Sequence, residues 1–235
     1  MSNGSPPVRR SSCVLLTCED GLGDAAIAFA GQLFDLRLVA RYPDPTAKGV
    51  PDELGELVRS EKIDYIFSFL SPVIVPKSIL GCVRLPINFH TAPPRWPGIG
   101  GPCFALYYGD TRYGVTAHVM EQRVDTGDIL RVDSFDILDT DTQSSLLERT
   151  RYRALSVYYD VLAELAKTGT ISPSGHRWER EPLSRKSVDE LLTLSITDSA
   201  EKVALSIRAG RNPHFPAPVL SWHGYRFAYL DADDS

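Results

Sequence analysis

Short apolar runs alternate with helix-like segments through the first 110 residues of the chain. The apolar runs are CVLLTC, LRLVA, DYIFSFL and RLPINFH, and two of the segments between them are AAIAFAGQLF and DELGELVRS. Strand, helix and strand in this order predict a mostly parallel sheet whose crossover helices cover its faces. We therefore expect an α/β fold with a central sheet and flanking helices.

Two further strands, GVTAHVM and ILRVDSFDI, are predicted on either side of the turn-like sequence VDTGD. After them, residues 142–169 predict a long amphipathic helix that ends at Gly169. Its apolar face carries Leu147, Ala154, Tyr158, Val161 and Leu165. Beyond Gly169, proline, arginine and tryptophan become more frequent and the elements become short. We therefore divide the chain into a loose tail (1–12), a main domain (13–172) and a small extension (173–235).

The composition excludes several classes of partner. The hydrophobic fraction is 43%, which is usual for a globular protein. A net charge of -5 argues against the basic surface that nucleic-acid binding requires. The four cysteines form no CxxC pair, so we expect neither disulfides nor structural zinc. The first apolar stretch is too short for a signal peptide or a membrane span, so we expect a cytoplasmic protein that does not bind membranes.

Asn88 and His90 lie two residues apart in the run LPINFHTAPP, so they share one face of a predicted strand end. An amide offers a donor and an acceptor, and an imidazole can carry a proton near neutral pH. Together they suit a carbonyl group that becomes an oxyanion. Asp125, in VDTGDIL, would orient the imidazole and raise its basicity if the turn reaches His90. The alternative is structural: a polar strand end, and an aspartate that caps a tight turn.

Three other motifs leave a functional and a structural interpretation open. DGLGDAA resembles a degenerate dinucleotide-binding turn, but no acidic residue ends the second strand, so a nicotinamide- or flavin-dependent oxidoreductase is the weaker hypothesis. FSFLSPVIVPKSIL is an apolar loop that could hold a flat ring or simply pack. HTAPPRWPGIGGPCF is stiffened by proline and is predicted to face a substrate. The histidine spacing, including His118 within a strand, does not suggest a metal site.

Residues 63–130 resemble the folate-dependent formyltransferases, whose hallmark is a proline-bearing Asn-x-His loop followed by Asp-x-Gly-x-Ile. Here these sequences are NFHTAPP and DTGDI. Within that superfamily, PGIGGPCFALYYGDTRYGVTAHVM, REPLSRKSVDELL and SIRAGRNPHFP look most like the sugar N-formyltransferases. Those enzymes formylate the amine, at C3 or C4, of an amino-dideoxysugar that is typically linked to thymidine diphosphate. Their products are precursors of surface polysaccharides such as lipopolysaccharide O-antigen.

The resemblance implies a Rossmann-like catalytic domain, 10-formyltetrahydrofolate as the formyl donor, no metal, and a C-terminal helix and β-hairpin region through which a homodimer forms. Asn88 would hold the formyl oxygen, His90 would take a proton from the attacking amine, and Asp125 would orient His90 and relay the proton. The residues that would cradle the folate are Phe69, Leu70, Ser71, Pro72, Val73 and Ile74, together with Gln122, Arg123, Val124 and Asp125.

Lys77, Trp96 and Tyr107 are the candidates for sugar-nucleotide contacts, with Lys77 toward the pyrophosphate. Two related activities are less favoured. DGLGDAA lacks the phosphate loop expected of glycinamide ribonucleotide formyltransferases. The chain is also expected to be too short and too acidic for the tRNA-binding barrel of a methionyl-tRNA formyltransferase. A binding module that keeps the scaffold without catalysis is the remaining alternative.

Overall fold

The computed structural model describes residues 10–44, 46–212 and 217–230 and has a six-stranded sheet at its centre. The strands are β1 (Ser12–Cys18), β2 (Asp35–Tyr42), β3 (Ile63–Phe69), β4 (Val83–His90), β5 (Arg112–Val119) and β6 (Ile129–Asp136). They lie in the order β2-β1-β3-β4-β5-β6. The first four pair in parallel, whereas β5 is antiparallel to both β4 and β6. The expected α/β fold with a mostly parallel sheet is confirmed.

The helices of the described ranges are α1 (Gly21–Leu33), α2 (Asp52–Ser60), α3 (Lys77–Leu80), α4 (Gly101–Tyr107), α5 (Gln143–Thr168), α6 (Arg185–Leu191) and α7 (Ala200–Gly210). The long helix expected from the apolar stripe is α5. Thr142 caps its first turn, and Gly169, with a φ of 73°, ends it. None of these helices combines the length and the apolar composition that crossing a bilayer requires.

Each face of the sheet carries its own apolar core, because alternate strand residues point to opposite faces. Leu15 and Phe67 lie on the face that α1 and α5 cover. Val14 and Ile66, their neighbours in sequence, lie on the face that α2 and α3 cover. Strands β1 and β3 are therefore buried on both sides, which explains why they are continuous apolar runs in the sequence.

The C-terminal residues form a second sheet, of β7 (Thr193–Leu194), β8 (Val219–Trp222) and β9 (Tyr225–Ala228). Strands β8 and β9 make the expected hairpin. The preceding helices α6 and α7 pack on α4 in a third core that includes Trp96 and Val188. Apolar packing thus continues across residue 172, where the change in composition suggested a domain boundary.

The strand order reverses at β1, which lies between β2 and β3. In an open α/β sheet such a reversal leaves a crevice at the carboxyl ends of the strands, where ligands bind. Cys18, Phe69 and His90, the last residues of β1, β3 and β4, mark that edge. Leu70, directly after β3, has a φ of 52°, so the backbone turns sharply into the following loop. The fold therefore places this loop beside the end of β4.

Candidate active site

Asn88, His90 and Asp125 meet at the carboxyl edge of the sheet. Asn88 and His90 project from one face at the end of β4. Asp125 lies in the segment between β5 and β6. Because β5 ends at Val119, opposite Ile87 in the middle of β4, this segment folds back along the sheet to reach the end of β4. Asp125 Oδ2 is 3.4 Å from His90 Nδ1. Asp125 has a φ of 49°, a left-handed backbone that is uncommon for any residue except glycine. The structure therefore brings the three predicted catalytic residues together.

His118 is the fourth member of this cluster, and it lies opposite Asn88 in the pairing of β4 with β5. Its Nε2 lies 3.1 Å from Asn88 Nδ2 and 3.1 Å from Asp125 Oδ1. Its Nδ1 lies 2.9 Å from the Val119 carbonyl oxygen, which can only accept, so Nδ1 carries a proton. Only the register of GVTAHVM against RLPINFH would have identified His118, and a single sequence does not give that register.

The protonation of His118 decides how its two neighbours are bound. When His118 is neutral, Nε2 accepts one N–H of Asn88, and the amide keeps its second N–H for another acceptor. Asp125 Oδ1 is then buried without a donor. When His118 is charged, Nε2 donates to Asp125 Oδ1 instead. A proton on His118 therefore changes the hydrogen bonding of both Asn88 and Asp125.

Asp125 is ionised, although only 3% of its side chain is exposed. Burial opposes the charge. The charge of His90, the hydrogen bond and charge of His118, and the hydrogen bond from the Gly98 N–H outweigh it and hold the pKa of Asp125 well below its ordinary value. The Gly98 N–H donates to Asp125 Oδ2 at 2.7 Å. The site thus contains a fixed negative charge beside two imidazoles.

Both ring nitrogens of His90 face acceptors. Nδ1 lies 3.4 Å from Asp125 Oδ2, and Nε2 lies 3.1 Å from the Trp96 carbonyl oxygen. The carbonyl oxygen can only accept, so Nε2 donates to it. Nε2 must therefore leave Trp96 before it can accept a proton from a substrate.

Two pockets meet at Asn88 and His90. The first pocket has a volume of about 320 Å³ and lies between the loop after β3 and the turn that carries Asp125. The second pocket has a volume of about 550 Å³ and lies beside the start of α1. Their shared lining consists of Ser71, Pro72, Asn88 and His90. Ligands in the two pockets would therefore touch each other at the amide and the imidazole.

Most of the residues predicted to cradle the folate line these pockets. Ser71, Pro72, Val73, Ile74, Arg123, Val124 and Asp125 line the first pocket, and Leu70 lines the second. Phe69 is instead fully buried in the core beside α5. Gln122 is exposed in the turn and lines neither pocket.

The three residues predicted to contact the sugar nucleotide do not lie at the pockets. Trp96 is 1% exposed, its indole N–H donates to Asp110 at 2.7 Å, and its ring packs in the third core. Tyr107 is half-buried against the same core. Lys77 is exposed at the start of α3. The composition of this loop predicted that it is stiff, but it did not predict whether the Trp96 ring faces the pockets or the core.

DGLGDAA forms a capped strand-to-helix turn. Asp20 Oδ1 accepts from the backbone N–H groups of Leu22 and Gly23 at 2.9 and 3.1 Å, and Asp20 Oδ2 pairs with Arg151. A carboxylate of the chain itself therefore occupies the N-terminus of α1, where a dinucleotide phosphate would bind. In the described part of the chain, no cluster of His, Cys, Asp and Glu could hold a metal ion.

A segment of the C-terminal extension also reaches the site. Residues 174–183, which we call the strap, cross the loop after β4 and the turn that carries Asp125. Trp178, within the strap, donates its indole N–H to the Gly127 carbonyl oxygen at 2.8 Å. Pro182 and Leu183 line the first pocket. The sequence HRWEREPL is rich in charged residues, and nothing in it predicted that this segment would lie at the active site.

Comparisons with known proteins fit this arrangement. The Formyl transferase family matches residues 38–162, a range that includes Asn88, His90, His118 and Asp125. A methionyl-tRNA formyltransferase of Herminiimonas arsenicoxydans is 30% identical over 184 residues, which are 76% of this chain and 55% of the relative. The chain spans about half the length of the curated relatives it matches.

Solved structures with the same fold include a 4-N formyltransferase from Francisella tularensis, with a TM-score of 0.74 at 15% identity over 93% of this chain and 96% of that chain. An N-formyltransferase from Helicobacter canadensis, solved in complex with folinic acid and dTDP-3-aminofucose, has a TM-score of 0.67 at 14% identity. That match covers 90% of this chain and 84% of the other. At these identities the similarity confirms the fold.

Proposed function

The chain belongs to the formyl transferase family, and we propose that it moves the formyl group of 10-formyltetrahydrofolate to the amine of a nucleotide-linked amino-dideoxysugar. The observation that carries this proposal is the meeting of two pockets at Asn88 and His90. Transfer between two substrates requires their reacting atoms to meet at one set of catalytic groups. A binding protein with a single ligand has no need of such a junction.

The first pocket suits the pterin of the donor. Its walls are mainly apolar, with Val73, Val75 and Met120 on one side. Ile74 and Val124 stand at the rim with 62% and 46% of their surface exposed. A flat heteroaromatic ring would cover these side chains, while backbone groups of the two loops supply its polar contacts. The bound folate would supply an activated formyl group at the mouth of the pocket, beside Asn88.

The second pocket suits a polar amine acceptor. Glu19, Asp20 and Arg151 line it together with Tyr42, so its walls offer both donors and acceptors. Sugar hydroxyls require such mixed partners. Because Asp20 already caps α1, the phosphates of a nucleotide sugar would bind away from that helix N-terminus. We therefore place the amino sugar, rather than its pyrophosphate, beside α1.

Asn88 and His90 would stabilise the oxyanion that forms when the neutral amine attacks the formyl carbon. Asn88 has one N–H free for this oxygen when the other bonds His118. Once Nε2 has left the Trp96 carbonyl, His90 would take a proton from the attacking amine and pass it to the departing folate nitrogen. Asp125 orients the ring and helps to relay that proton. In sum, the amine gains a C–N bond, the donor loses one, and one proton moves between the nitrogens.

Mass spectrometry of the reaction product tests this proposal. Purified protein is incubated with 10-formyltetrahydrofolate and a series of dTDP-linked 3-amino and 4-amino sugars. One of them should gain a formyl group, and the rate should fall in acid as the amine becomes an ammonium without a lone pair. Binding of both ligands without product in the whole series would show a binding module instead of an enzyme.

Methionyl-tRNA is the second acceptor to test, because the 30% identical relative carries that name. The net charge of -5 argues against it, since tRNA binding depends on neutralising phosphates. Formylation of methionyl-tRNA, with no activity on amino sugars, would replace the sugar in our proposal.

We also propose that the chain forms a homodimer through the hairpin of β8 and β9. Trp222, Tyr225 and Phe227 are exposed on it by 48%, 71% and 50%. Aromatic side chains clustered on a surface are typical of protein interfaces. Light scattering after size exclusion should give twice the chain mass, and a Tyr225→Glu, Phe227→Glu variant should give the monomer mass.

A further inference from the structure

We propose that the strap completes the active site and that Trp178 is a positioning residue, which fixes the place of the Asp125 turn relative to His90 and His118. The inference rests on the proposed function, because it assigns a role in that reaction. It concerns residues outside the range 38–162 that the family matches. The strap belongs instead to the extension that the sequence separated from the catalytic domain.

The strap is fixed to the rest of the site by backbone hydrogen bonds at both ends. The Ser174 N–H donates to the Ile129 carbonyl oxygen at 2.8 Å. The Glu179 N–H donates to Pro94 at 3.1 Å, and the Leu183 N–H donates to Pro97 at 2.9 Å. These bonds connect the strap to the start of β6 and to the loop after β4. The segment therefore has a defined position over the site, although most of its side chains are exposed.

Trp178 contacts both histidines and the turn between them. Its ring lies edge-on to His118 and to His90, with centroid distances of 5.1 and 6.0 Å. Its indole N–H holds the Gly127 carbonyl oxygen. On the other side, a Cβ at Gly127 would lie 2.1 Å from the Val119 carbonyl oxygen, so the turn packs directly on β5. The turn is thus clamped between β5 and Trp178.

Leu183 supports the same carboxylate from a second direction. The Ile99 N–H donates to the Leu183 carbonyl oxygen at 3.0 Å, which pairs the strap with the Gly98 segment. Gly98 in turn donates its N–H to Asp125. A Cβ at Gly98 would lie 2.2 Å from the Leu183 carbonyl oxygen, so only glycine allows this approach. Asp125 has a left-handed backbone, and these two contacts supply the surroundings that maintain it.

Trp178 lines neither pocket, so its loss should affect the chemical step more than substrate binding. Misplacing catalytic groups by a fraction of an ångström to 1 Å lowers turnover without removing a ligand contact. We expect Trp178→Ala to lower kcat by about tenfold or more, with KM for 10-formyltetrahydrofolate within about twofold of wild type. Trp178→Phe keeps a ring against both histidines and should recover most of the loss.

Tyr159→Ala is the matched control. Tyr159 is also a half-buried aromatic residue, it packs on Phe29 at a ring distance of 4.3 Å, and it lines neither pocket. Its truncation should lower the melting temperature without changing kcat per folded molecule. Circular dichroism and binding of 5-formyltetrahydrofolate, measured by calorimetry, show whether each variant is folded.

Three results would overturn the inference. They are a kcat for Trp178→Ala equal to that of Tyr159→Ala, a loss of folate affinity as large as the loss of kcat, and no recovery in Trp178→Phe. If the wild-type protein transfers no formyl group, the proposed function fails on its own. The positioning role is then measured by NMR titration of the Asp125 carboxyl group, whose pKa lies below its ordinary value because of the two histidines and the Gly98 N–H. Trp178→Ala should raise this pKa toward the ordinary value, and an unchanged pKa would contradict the role.

Discussion

The two pockets that share Asn88 and His90 differ in their chemistry. The first pocket has apolar walls at Val73, Val75 and Met120, with Glu121 and Arg123 in the adjoining turn, whereas the second contains Glu19, Asp20 and Arg151 beside the start of α1. Apolar walls suit a flat ring, and charged groups along the acceptor side suit a hydroxylated amine. The end of β4 separates the two environments and carries the reacting groups. Changes in one pocket should therefore affect one substrate, and changes at the junction should affect turnover alone.

The largest effect is expected at the junction. His90→Ala removes the group that carries the proton and the positive charge beside the oxyanion. We expect kcat to fall by about 10²–10⁴. Both pockets remain, so calorimetry should show folate and acceptor affinities within about threefold of wild type. Turnover like that of wild type would place the chemistry elsewhere.

The first pocket is tested by Ile74→Ser, which removes an apolar side chain from its rim. We expect KM for 10-formyltetrahydrofolate to rise about fivefold to tenfold while KM for the acceptor stays constant. Ile196→Ser is the control, because Ile196 is equally exposed at 62% but lies on the C-terminal extension. An equal rise in KM for the two substrates would contradict the assignment of one substrate to each pocket.

The second pocket is tested by Arg151→Met, which keeps the length of the side chain and removes its donors. We expect KM for the amino sugar to rise about tenfold, with KM for the folate unchanged. Arg153→Met is the control on the same helix, since Arg153 pairs with Asp133 at 3.6 Å and lines neither pocket. A folate effect from Arg151→Met would contradict the assignment.

The smallest expected effect is on stability against pH. The folded pKa of Asp125 lies below its unfolded value of about 3.9, so its charge stabilises the fold fully above that value. This stabilisation is lost as the pH falls toward the folded pKa. Urea unfolding should therefore show the largest gap between wild type and Asp125→Asn above about pH 5, and a smaller gap near pH 3. A gap that widens in acid would show that Asp125 is not held as a carboxylate.

Local patterns predicted the parts of the site that depend on single elements. Asn88 and His90 share a strand face by alternation, and the Asp125 motif follows in order, so these three were identifiable from the sequence. His118 was not, because its partner depends on the register between β4 and β5. Trp178 was not, because the strap returns to the site from a distant part of the chain.

Trp96 is a residue for which a local sequence pattern suggested a position that the structure does not show. An aromatic ring among prolines and glycines beside a catalytic histidine suggested a substrate contact. The ring instead stacks on Phe104 at 5.5 Å and is covered by Arg180 at 4.0 Å from its centroid. Whether a loop aromatic faces a ligand or the core is decided by packing between α4 and the extension, which composition does not encode.

Simultaneous binding of the two substrates tests the central claim most directly. The protein is saturated with 5-formyltetrahydrofolate, which probes the first pocket, and is then titrated calorimetrically with the amino-sugar nucleotide that the product assay identifies. The amino sugar should bind with the same or higher affinity than it does to the free protein, because each ligand has its own pocket and the two pockets share only Ser71, Pro72, Asn88 and His90. Mutual exclusion of the two ligands would contradict the account.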